Sequence, residues 1–540
     1  MSNSTFDRRR LLGGCATTLI AAVAGADGAL GGTARSTKAP TASFTGLRHG
    51  QRNIVLFLAD EMRADSLACY GNPATRTPNF DLLASQGALF ENCHVQFPVC
   101  GASRCSLLTG WPASVRGHRS LGYFLRPDEP NLFRYLRNAG YDVYWFGKND
   151  ALSQQSFLSS VTEWSERARY APSSTGRVPP PAGKPYSFLY PAEGERRDSR
   201  DYALLQAAIA ILSRRETDRP FCILLAMDQP HPPYTVPPEF YNMYSPAQLP
   251  PLAPPGRADK PNFHAGIRDY YGLEVLTDAD FRKIRAVYHG QVSYSDWLLG
   301  ELLEALARTN RDKDTALFAL SDHGDYAGDF GLVEKWASGL EDALTHVPLI
   351  ARVPGGHAGV RSREIVELFD VMQTCLELAG ADAQHTHFSR SLLPQIAGMP
   401  GDPERAAFAE GGFNIYEPQC FDPLDESSRP VYRAKLLLAI ENPAMVSRAA
   451  MVRTRDHKLI IRPNGRSELY DCRADPQQLE NLYDRQAAGR VMEPLQRRLV
   501  NWYINTTGIA PFDKDARGAP PFLRLPEDSA REWGPGLLDH

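Results

Sequence analysis

Short apolar runs recur along the chain up to about residue 400, and polar or glycine-containing turns separate them. Four of these runs are largely apolar: 52–59, 141–146, 221–227 and 315–320. Such runs are typical of strands buried on both faces of a parallel sheet. Between them, the pattern predicts helices over 131–139 and 284–306. The repeated order of strand, helix and strand predicts an α/β fold, a large mostly parallel sheet sandwiched between helices.

The pattern changes at about residue 400. Three short strand-like stretches and one helical stretch follow: 451–454, 458–462, 468–471 and 489–503. This order predicts a small antiparallel sheet with one closing helix. We therefore expect a main domain over 51–400 and a C-terminal subdomain over 401–507. The remainder, 508–540, is rich in proline, glycine and charge and is expected to lie on the surface.

The N-terminal segment has the pattern of an export signal. Three arginines, Arg8 to Arg10, precede a stretch from Leu11 to Ala26 that carries no charge. This resembles a twin-arginine-type signal, which we place at 1–34, followed by a linker at 35–50. The run is short and rich in glycine, so a stable membrane anchor is not expected. The prediction is a periplasmic or secreted protein, and a frayed basic terminus is the alternative.

The charge and the cysteine content of the chain argue against some kinds of partner and of structural cross-link. The net charge of the 540-residue chain is −4, so no broad basic field indicates a nucleic-acid partner. The nine cysteines are scattered without Cys-x-x-Cys pairs, which argues against a zinc ribbon and against a dense disulfide framework.

Two of the predicted strands end in residues that can bind a metal. Asp60 and Glu61 follow the run 52–59, and Asp322 and His323 follow the run 315–320. Open α/β sheets bind ligands at such carboxyl ends, and hard divalent cations prefer carboxylate oxygens. Adjacent side chains on a strand point to opposite faces, so Asp60 and Glu61 can face one metal only if the strand ends there.

The stretch 100–110 combines a cysteine with small residues and a helix stop. We expect a helical run at 106–109 that ends at Gly110, with Cys100 near the helix N-terminus. A helix N-terminus favours an anion through its free N–H groups and its dipole. A buried structural cysteine is the alternative interpretation.

The residues Cys100, Ala102, Arg104 and the closing Thr109-Gly110 resemble the signature of the type I sulfatases, which belong to the alkaline phosphatase superfamily. The resemblance implies that a maturation enzyme oxidises Cys100 to formylglycine (3-oxoalanine), whose hydrate is the nucleophile. Ala102 stands where the family usually has proline, so a different maturation enzyme is an option. Arg104 is implied to hold the nucleophile and the metal carboxylates. His118, after this helix, is a further candidate for the site.

Other motifs follow in the family order. In Gly147-Lys148-Asn149-Asp150 and Glu334-Lys335, the resemblance implies that Lys148 and Lys335 bind sulfate. His231, in a proline-rich segment, is implied to protonate the leaving group, which suits a side chain that titrates near neutral pH. Asp150 stands where the family has a histidine, and we expect it to orient the hydrate or to contact a substrate hydroxyl.

The resemblance also implies one divalent metal. Its expected ligands come from five positions: Asp60, Glu61, Cys100, Asp322 and His323. Calcium is the expected ion, and magnesium or manganese is the alternative because histidine is a poor calcium ligand. Glu61 departs from the family pattern, which usually has aspartate there.

These features together imply a sulfuric ester hydrolase that acts on a small-molecule or saccharide sulfate ester. Two alternatives stay open. A phosphonate monoester or phosphodiester hydrolase would use the same site, and a non-catalytic binding protein could use the same scaffold. Asp150 and Glu61 favour the binding protein.

Overall fold

The computed structural model describes residues 52–165, 188–214, 218–257, 259–421 and 430–509. The predicted signal segment, the linker and nearly all of the predicted tail lie outside these residues. Within the described part of the chain, no helix has the length and apolar character needed to cross a membrane. The predicted boundaries between main domain and C-terminal subdomain stay a prediction.

A large sheet of nine strands dominates the described residues. In chain order the strands are β1 (Asn53–Ala59), β2 (Ala88–His94), β3 (Asp142–Gly147), β4 (Glu163–Ser165), β5 (Phe221–Ala226), β6 (Thr315–Ser321), β7 (His346–Val347), β8 (Leu349–Arg352) and β9 (Val360–Glu367). The spatial order is β4-β3-β5-β1-β6-β8-β2-β7, and β9 pairs with β2. The five strands from β4 to β6 are parallel, whereas β8 is antiparallel to both β6 and β2.

Both faces of the sheet are buried, as the apolar runs predict. Along β1, Val55 and Phe57 belong to one apolar cluster, and Leu56 and Leu58 belong to another on the opposite face. Burying each such side chain stabilises the fold by about 1.5–3 kcal/mol relative to leaving it exposed. The sheet therefore needs a cover on each side.

Helices flank the sheet and link its strands. They are α1 (Pro78–Gln86), α2 (Cys100–Thr109), α3 (Leu132–Asn138), α4 (Gln154–Ser160), α5 (Arg200–Arg214), α6 (Pro238–Tyr241), α7 (Phe263–Tyr270), α8 (Asp278–Arg308), α9 (Asp342–Thr345), α10 (Asp370–Ala379) and α11 (Leu393–Ile396). The longest, α8, begins at a capping box in which Thr277 and Asp280 exchange hydrogen bonds. The predicted helix at 284–306 is the inner part of α8.

The second sheet has four antiparallel strands. Its elements, with the helices of the same region, are β10 (Ala407–Gly411), α12 (Pro430–Glu441), β11 (Ala449–Arg453), β12 (His457–Ile461), β13 (Glu468–Asp471) and α13 (Gly489–Thr506). Leu495, Leu499 and Trp502 of α13 pack in one apolar cluster with residues of the sheet. Strand β10 is an addition to the prediction, because its five residues show too short a pattern to stand out.

The predicted fold class is confirmed by this architecture. One local prediction was wrong, because α2 begins at Cys100 and not at 106. Val99 is extended and its carbonyl accepts a hydrogen bond from the N–H of Ser103, which starts the helix earlier. Gly110 ends it in the left-handed region at φ 68°, as predicted.

Candidate active site

The ends of the two central strands bring the predicted metal ligands together. Ala59 pairs with Ser321 in the β1–β6 register, so Asp60 and Asp322 leave the sheet side by side. Glu61 has a φ of 67°, a left-handed conformation that a non-glycine residue rarely adopts. This turn ends the strand and lets Asp60 and Glu61 both face the site. The sequence pattern indicates that both can do so only if the strand ends there.

Cys100 lies at the centre of this group. Its Sγ is 3.4 Å from Oδ1 of Asp60, 3.1 Å from Nε2 of His323 and 3.9 Å from Nζ of Lys148. Burial and then Asp60 raise the pKa of the Cys100 thiol well above its usual value. Because the thiolate is the nucleophilic form, the unmodified thiol is a weak nucleophile at neutral pH.

Arg104 lies one helical turn beyond Cys100 and bridges the two strand ends. Its Nε donates to Oδ2 of Asp322 at 2.7 Å, and its Nη2 donates to Oδ2 of Asp60 at 2.9 Å. All three side chains are buried. The planar guanidinium therefore sets the spacing between the two carboxylates.

His323 presents one ring nitrogen to the site. Its Nδ1 lies 2.9 Å from the carbonyl of Gly324, which can only accept a hydrogen bond, so Nδ1 carries the proton. The lone pair of Nε2 then faces Cys100 and Asp60. Burial lowers the pKa of His323, so the ring is neutral, as a metal-binding imidazole must be.

These donors form two overlapping sets that could hold a metal ion. Asp60 and Cys100 belong to both, and within each set the donor atoms lie within 4.8 Å of one another. Asp322 and His323 complete the first set; Glu61 and His231 complete the second. The structure thus places Glu61 on the side of the site away from Asp322 and His323.

Two lysines enter the site, and each lies between two carboxylates. Lys148 contacts Asp60 and lies 3.0 Å from Asp150. Lys335 contacts Glu61 and lies 3.1 Å from Glu334. Burial opposes the charge of each lysine, but the acidic surroundings outweigh it and raise the pKa of both ammonium groups. The site therefore keeps two positive charges near Cys100.

Gly147 makes the position of Lys148 possible. Its φ is 115°, and a Cβ atom there would lie 2.0 Å from the carbonyl oxygen of Ala226 on the neighbouring strand. Only glycine permits this close approach and the turn that follows it. Lys148 consequently leaves the sheet at the same edge as Asp60.

His231 lies against Lys335 and Glu61. Its Nδ1 is 2.5 Å from the carbonyl of Pro232, and its Nε2 is 3.2 Å from both Oε1 of Glu61 and Nζ of Lys335. Burial, followed by Lys335, lowers the pKa of His231 well below its usual value. In this state the ring is neutral, and its Nε2 accepts a hydrogen bond from the ammonium of Lys335.

The sequence analysis did not single out three charged residues of this site. Asp325 follows the metal-ligand motif, and its Oδ1 accepts a hydrogen bond from Tyr234 at 2.8 Å. Glu334 contacts Lys335 on one side and Lys435 of α12 on the other. The adjacency of Asp325 and Glu334 to predicted residues was the available signal, whereas Lys435 is 100 residues away from Lys335.

The charge of the site fits a divalent metal. Six carboxyl groups of described residues line it: Asp60, Glu61, Asp150, Asp322, Asp325 and Glu334. Four fixed cations face them: Arg104, Lys148, Lys335 and Lys435. Burial raises the pKa of Glu61 and of Asp325, and a divalent ion bound nearby would favour the ionised forms of both. The oxygen and imidazole donors suit such an ion.

His118 does not belong to this group. Its Nε2 lies 3.1 Å from Glu129 and its Nδ1 lies 2.7 Å from the carbonyl of Tyr123. Both ring nitrogens are thus used on the far side of α2. The suggestion that His118 faces the site was wrong, because Glu129 holds the ring elsewhere.

Comparison with known proteins gives three informative matches. A family model described as Sulfatase matches residues 52–381. The chain is 30% identical to iduronate 2-sulfatase of Homo sapiens over 393 residues, which cover 65% of this chain and 69% of that protein. It is 27% identical to an arylsulfatase of Clostridium perfringens over 365 residues, which cover 61% of this chain and 74% of that protein.

The fold has close counterparts among solved structures. The phosphonate monoester hydrolase of Agrobacterium radiobacter superposes with a TM-score of 0.69 at 23% identity, covering 86% of this chain and 99% of that chain. At this identity the match concerns the fold alone. It is consistent with the predicted alkaline phosphatase-like architecture.

The Arg104 bridge generates a stability prediction. Arg104→Met leaves Asp60 and Asp322 buried without the guanidinium, which we expect to cost about 3–5 kcal/mol of unfolding free energy. Arg104→Lys keeps the charge but cannot donate to both carboxylates with a planar guanidinium. Its unfolding free energy should lie between those of the parent and the Met variant. Chemical unfolding of the three purified proteins measures the effect. A Met variant as stable as the parent would contradict the bridging role.

Proposed function

Because the chain belongs to the sulfatase family and is a sulfuric ester hydrolase, we propose that it cleaves an organic sulfate ester through a formylglycine derived from Cys100. The products are an alcohol and inorganic sulfate. The observation that carries the proposal is the position of Cys100, at a helix N-terminus between a metal donor set and Lys148.

Burial raises the pKa of the Cys100 thiol, as it does at Cys93 and Cys222, so the unmodified side chain is poorly suited to attack an ester. A thiol that stays protonated is a weak nucleophile, whereas the hydrate of an aldehyde offers a hydroxyl group that can attack sulfur. We infer that a maturation enzyme makes this change. Gly101, which follows Cys100, lets α2 pack closely on the backbone at Ser120, because a Cβ atom there would lie 2.6 Å from the carbonyl oxygen of Ser120.

A divalent metal would be held by Asp60, Asp322 and His323 together with the modified Cys100. When bound, it supplies Lewis-acid polarisation of oxygen atoms and lowers the pKa of a coordinated hydroxyl. Glu61 is the weaker candidate for a ligand because its Oε1 accepts a hydrogen bond from the ammonium of Lys335. The ion is proposed to be calcium, with magnesium or manganese as alternatives, and elemental analysis of the purified protein distinguishes them.

Lys148 and Lys335 are proposed to bind the sulfate group. Both ammonium groups stay charged, and both act on the charge of Cys100, so they can meet negative charge that gathers on the sulfate oxygens. One such preorganised group typically contributes about 100- to 1000-fold in rate. Arg104 acts indirectly, because it keeps Asp60 and Asp322 apart at a fixed distance. Asp150 pairs with Lys148 at 3.0 Å, and we propose that it also contacts a substrate hydroxyl.

His231 is proposed to hold the proton that the leaving alcohol needs. Its Nε2 shares a hydrogen bond with Lys335, and its Nδ1 is fixed on the carbonyl of Pro232. A bound anionic substrate raises the pKa of a nearby imidazole because it favours the charged form. The proton can then sit at Nε2 and move to the departing oxygen.

The substrate is proposed to be a small-molecule or saccharide sulfate ester. The human relative is an iduronate 2-sulfatase, which supports a saccharide. A phosphonate monoester or phosphodiester is the second candidate, because two lysines and a metal suit any tetrahedral oxyanion.

Export through the twin-arginine pathway to the periplasm or beyond is also proposed, on the arginines at 8–10 and the uncharged stretch that follows. Replacing Arg8 and Arg9 by lysine in a bacterial host should retain the protein in the cytoplasm. Cell fractionation measures this, and unchanged export of the variant would argue against the signal.

Cys100→Ser should lower turnover of an aryl sulfate by more than about 1000-fold if the aldehyde supplies the nucleophile. Cys105→Ser is the matched control, since Cys105 is buried in the same helix and its thiol contacts the carbonyl of Ala151 at 3.6 Å and the ring of His118, both outside the site. It should keep turnover within a few-fold of the parent.

Peptide mass spectrometry across residue 100 completes this test. The parent should carry the mass of the aldehyde at Cys100. An unmodified cysteine in an active protein, or near-full turnover by Cys100→Ser, would contradict the nucleophile. An unmodified cysteine in a protein without turnover would favour the non-catalytic binding protein.

Parallel assays separate the two hydrolase functions. We expect kcat/KM for an aryl sulfate to exceed that for an aryl phosphonate monoester bearing the same leaving group. The matched leaving group removes differences in intrinsic reactivity at the departing oxygen. The reverse order would identify the phosphonate hydrolase as the principal activity.

A further inference from the structure

The segment that carries Lys335 is attached to the C-terminal part of the chain. Lys435, on α12, donates from Nζ to Oε2 of Glu334 at 3.1 Å and to the backbone carbonyl of Lys335 at 3.0 Å. Glu334 in turn accepts from Nζ of Lys335 through its other oxygen at 3.1 Å. One carboxylate thus connects the two ammonium groups.

The attachment is rigid at both ends. On α12, Ala434 and Leu438 are buried in the large apolar core on either side of Lys435. Beyond Lys335, the indole N–H of Trp336 and the hydroxyl of Ser338 both donate to the carbonyl of Met445, at 2.7 and 3.0 Å. Lys435 is therefore held in place by packing and not only by its ion pair.

The backbone of Glu334 has an unfavourable conformation, which the surrounding contacts must hold in place. Its φ is 61°, in the left-handed region that a residue with a Cβ rarely occupies. Burial would raise the pKa of Glu334, but Lys335 and Lys435 outweigh it and lower the value to about 2. The residue is consequently a carboxylate with two positive partners.

The way in which Glu334 shares its negative charge between Lys335 and Lys435 determines how much positive charge Lys335 offers to a ligand. With Lys435 present, Glu334 shares its charge between two ammonium groups, and Lys335 keeps positive charge for a ligand. Without Lys435, the buried carboxylate has Lys335 as its principal partner and competes with any bound anion. Removing one partner of a buried pair thus acts on the other partner.

We propose that Lys435 is a positioning residue that keeps Lys335 available to the sulfate group by taking up half of the charge of Glu334. This inference rests on the proposed function, because it assumes that Lys335 binds the substrate anion. It assigns to helix α12 an effect on anion affinity that acts through Glu334.

The test uses the full-length matured protein and four variants. Lys435→Met removes the charge, Lys435→Arg keeps it, and the double variant Glu334→Gln/Lys435→Met removes both charges. Lys458→Met is the matched control, because Lys458 is a buried lysine of the small sheet paired with Asp342 at 2.6 Å, outside the site. Calorimetry with inorganic sulfate measures Kd, and an aryl sulfate assay measures kcat/KM.

Lys435→Met should weaken sulfate binding about 10-fold and lower kcat/KM about 10- to 100-fold. Lys435→Arg should keep a sulfate Kd and a kcat/KM close to those of the parent. The double variant should recover most of the loss in sulfate affinity, because the competing carboxylate is gone. Lys458→Met should lower the unfolding temperature but leave the Kd for sulfate unchanged.

A Lys435→Met variant that binds sulfate like the parent would overturn the inference, and so would a double variant that binds no better than the single one. A purely structural role predicts that losses follow the unfolding temperature in all variants, which would also overturn it. A parent protein that does not bind sulfate refutes the role of Lys335 itself.

The same measurements distinguish failure of the proposed activity from failure of the positioning role of Lys435. A parent that binds sulfate with the expected variant pattern but does not cleave an aryl sulfate would leave the positioning role supported and the proposed activity refuted. A parent that cleaves the ester without the variant pattern would give the opposite result.

Discussion

The site depends on the burial of Asp60 and Asp322 against Arg104. Two carboxylates at adjacent strand ends would repel each other and lose hydration if nothing neutralised them. The guanidinium of Arg104 donates one hydrogen bond to each carboxylate. Arg104 belongs to the helix that begins at Cys100. The same ion pairs therefore allow both carboxylates to be buried at this edge and place Cys100 beside them.

Charge pairing extends outward from this bridge in a regular way. Each lysine lies between one carboxylate of the β1 end and one carboxylate beside it in its own loop. Such buried pairs contribute little net stability because desolvation offsets their attraction. Their value is preorganisation, since the positive charges are held in place before an anion arrives. A divalent ion would complete the balance among the carboxylates.

The two parts of the chain meet at this site. The strand ends and loops before residue 400, with helix α2, supply the metal donors, Cys100 and both lysines, whereas α12 supplies Lys435. The loop after Lys335 is bound to the carbonyl of Met445. The C-terminal region is thus part of the anion-binding arrangement and not only an appended sheet, which is consistent with its extensive buried contacts.

Much of the site was predictable because it lies in short, local motifs. Strand ends carry Asp60 and Asp322, and Gly147 precedes Lys148 at another strand end, so apolar runs alone locate them. The fold class was predictable for the same reason, since buried parallel strands are continuous apolar runs. Strand β10 was not, because five residues show too little periodicity and depend on pairing with β11.

The amino-acid sequence by itself determined which chemical groups are present, in which order, and on which elements they stand. Hydrophobic periodicity and turn residues act over a few positions, so these properties need no knowledge of distant contacts. Only the tertiary structure decided that Glu61 turns toward Lys335, that His118 turns away toward Glu129, and that Lys435 reaches Glu334. Those outcomes depend on competition among buried charges that are far apart in the chain, and such charges select partners only when the core has closed around them.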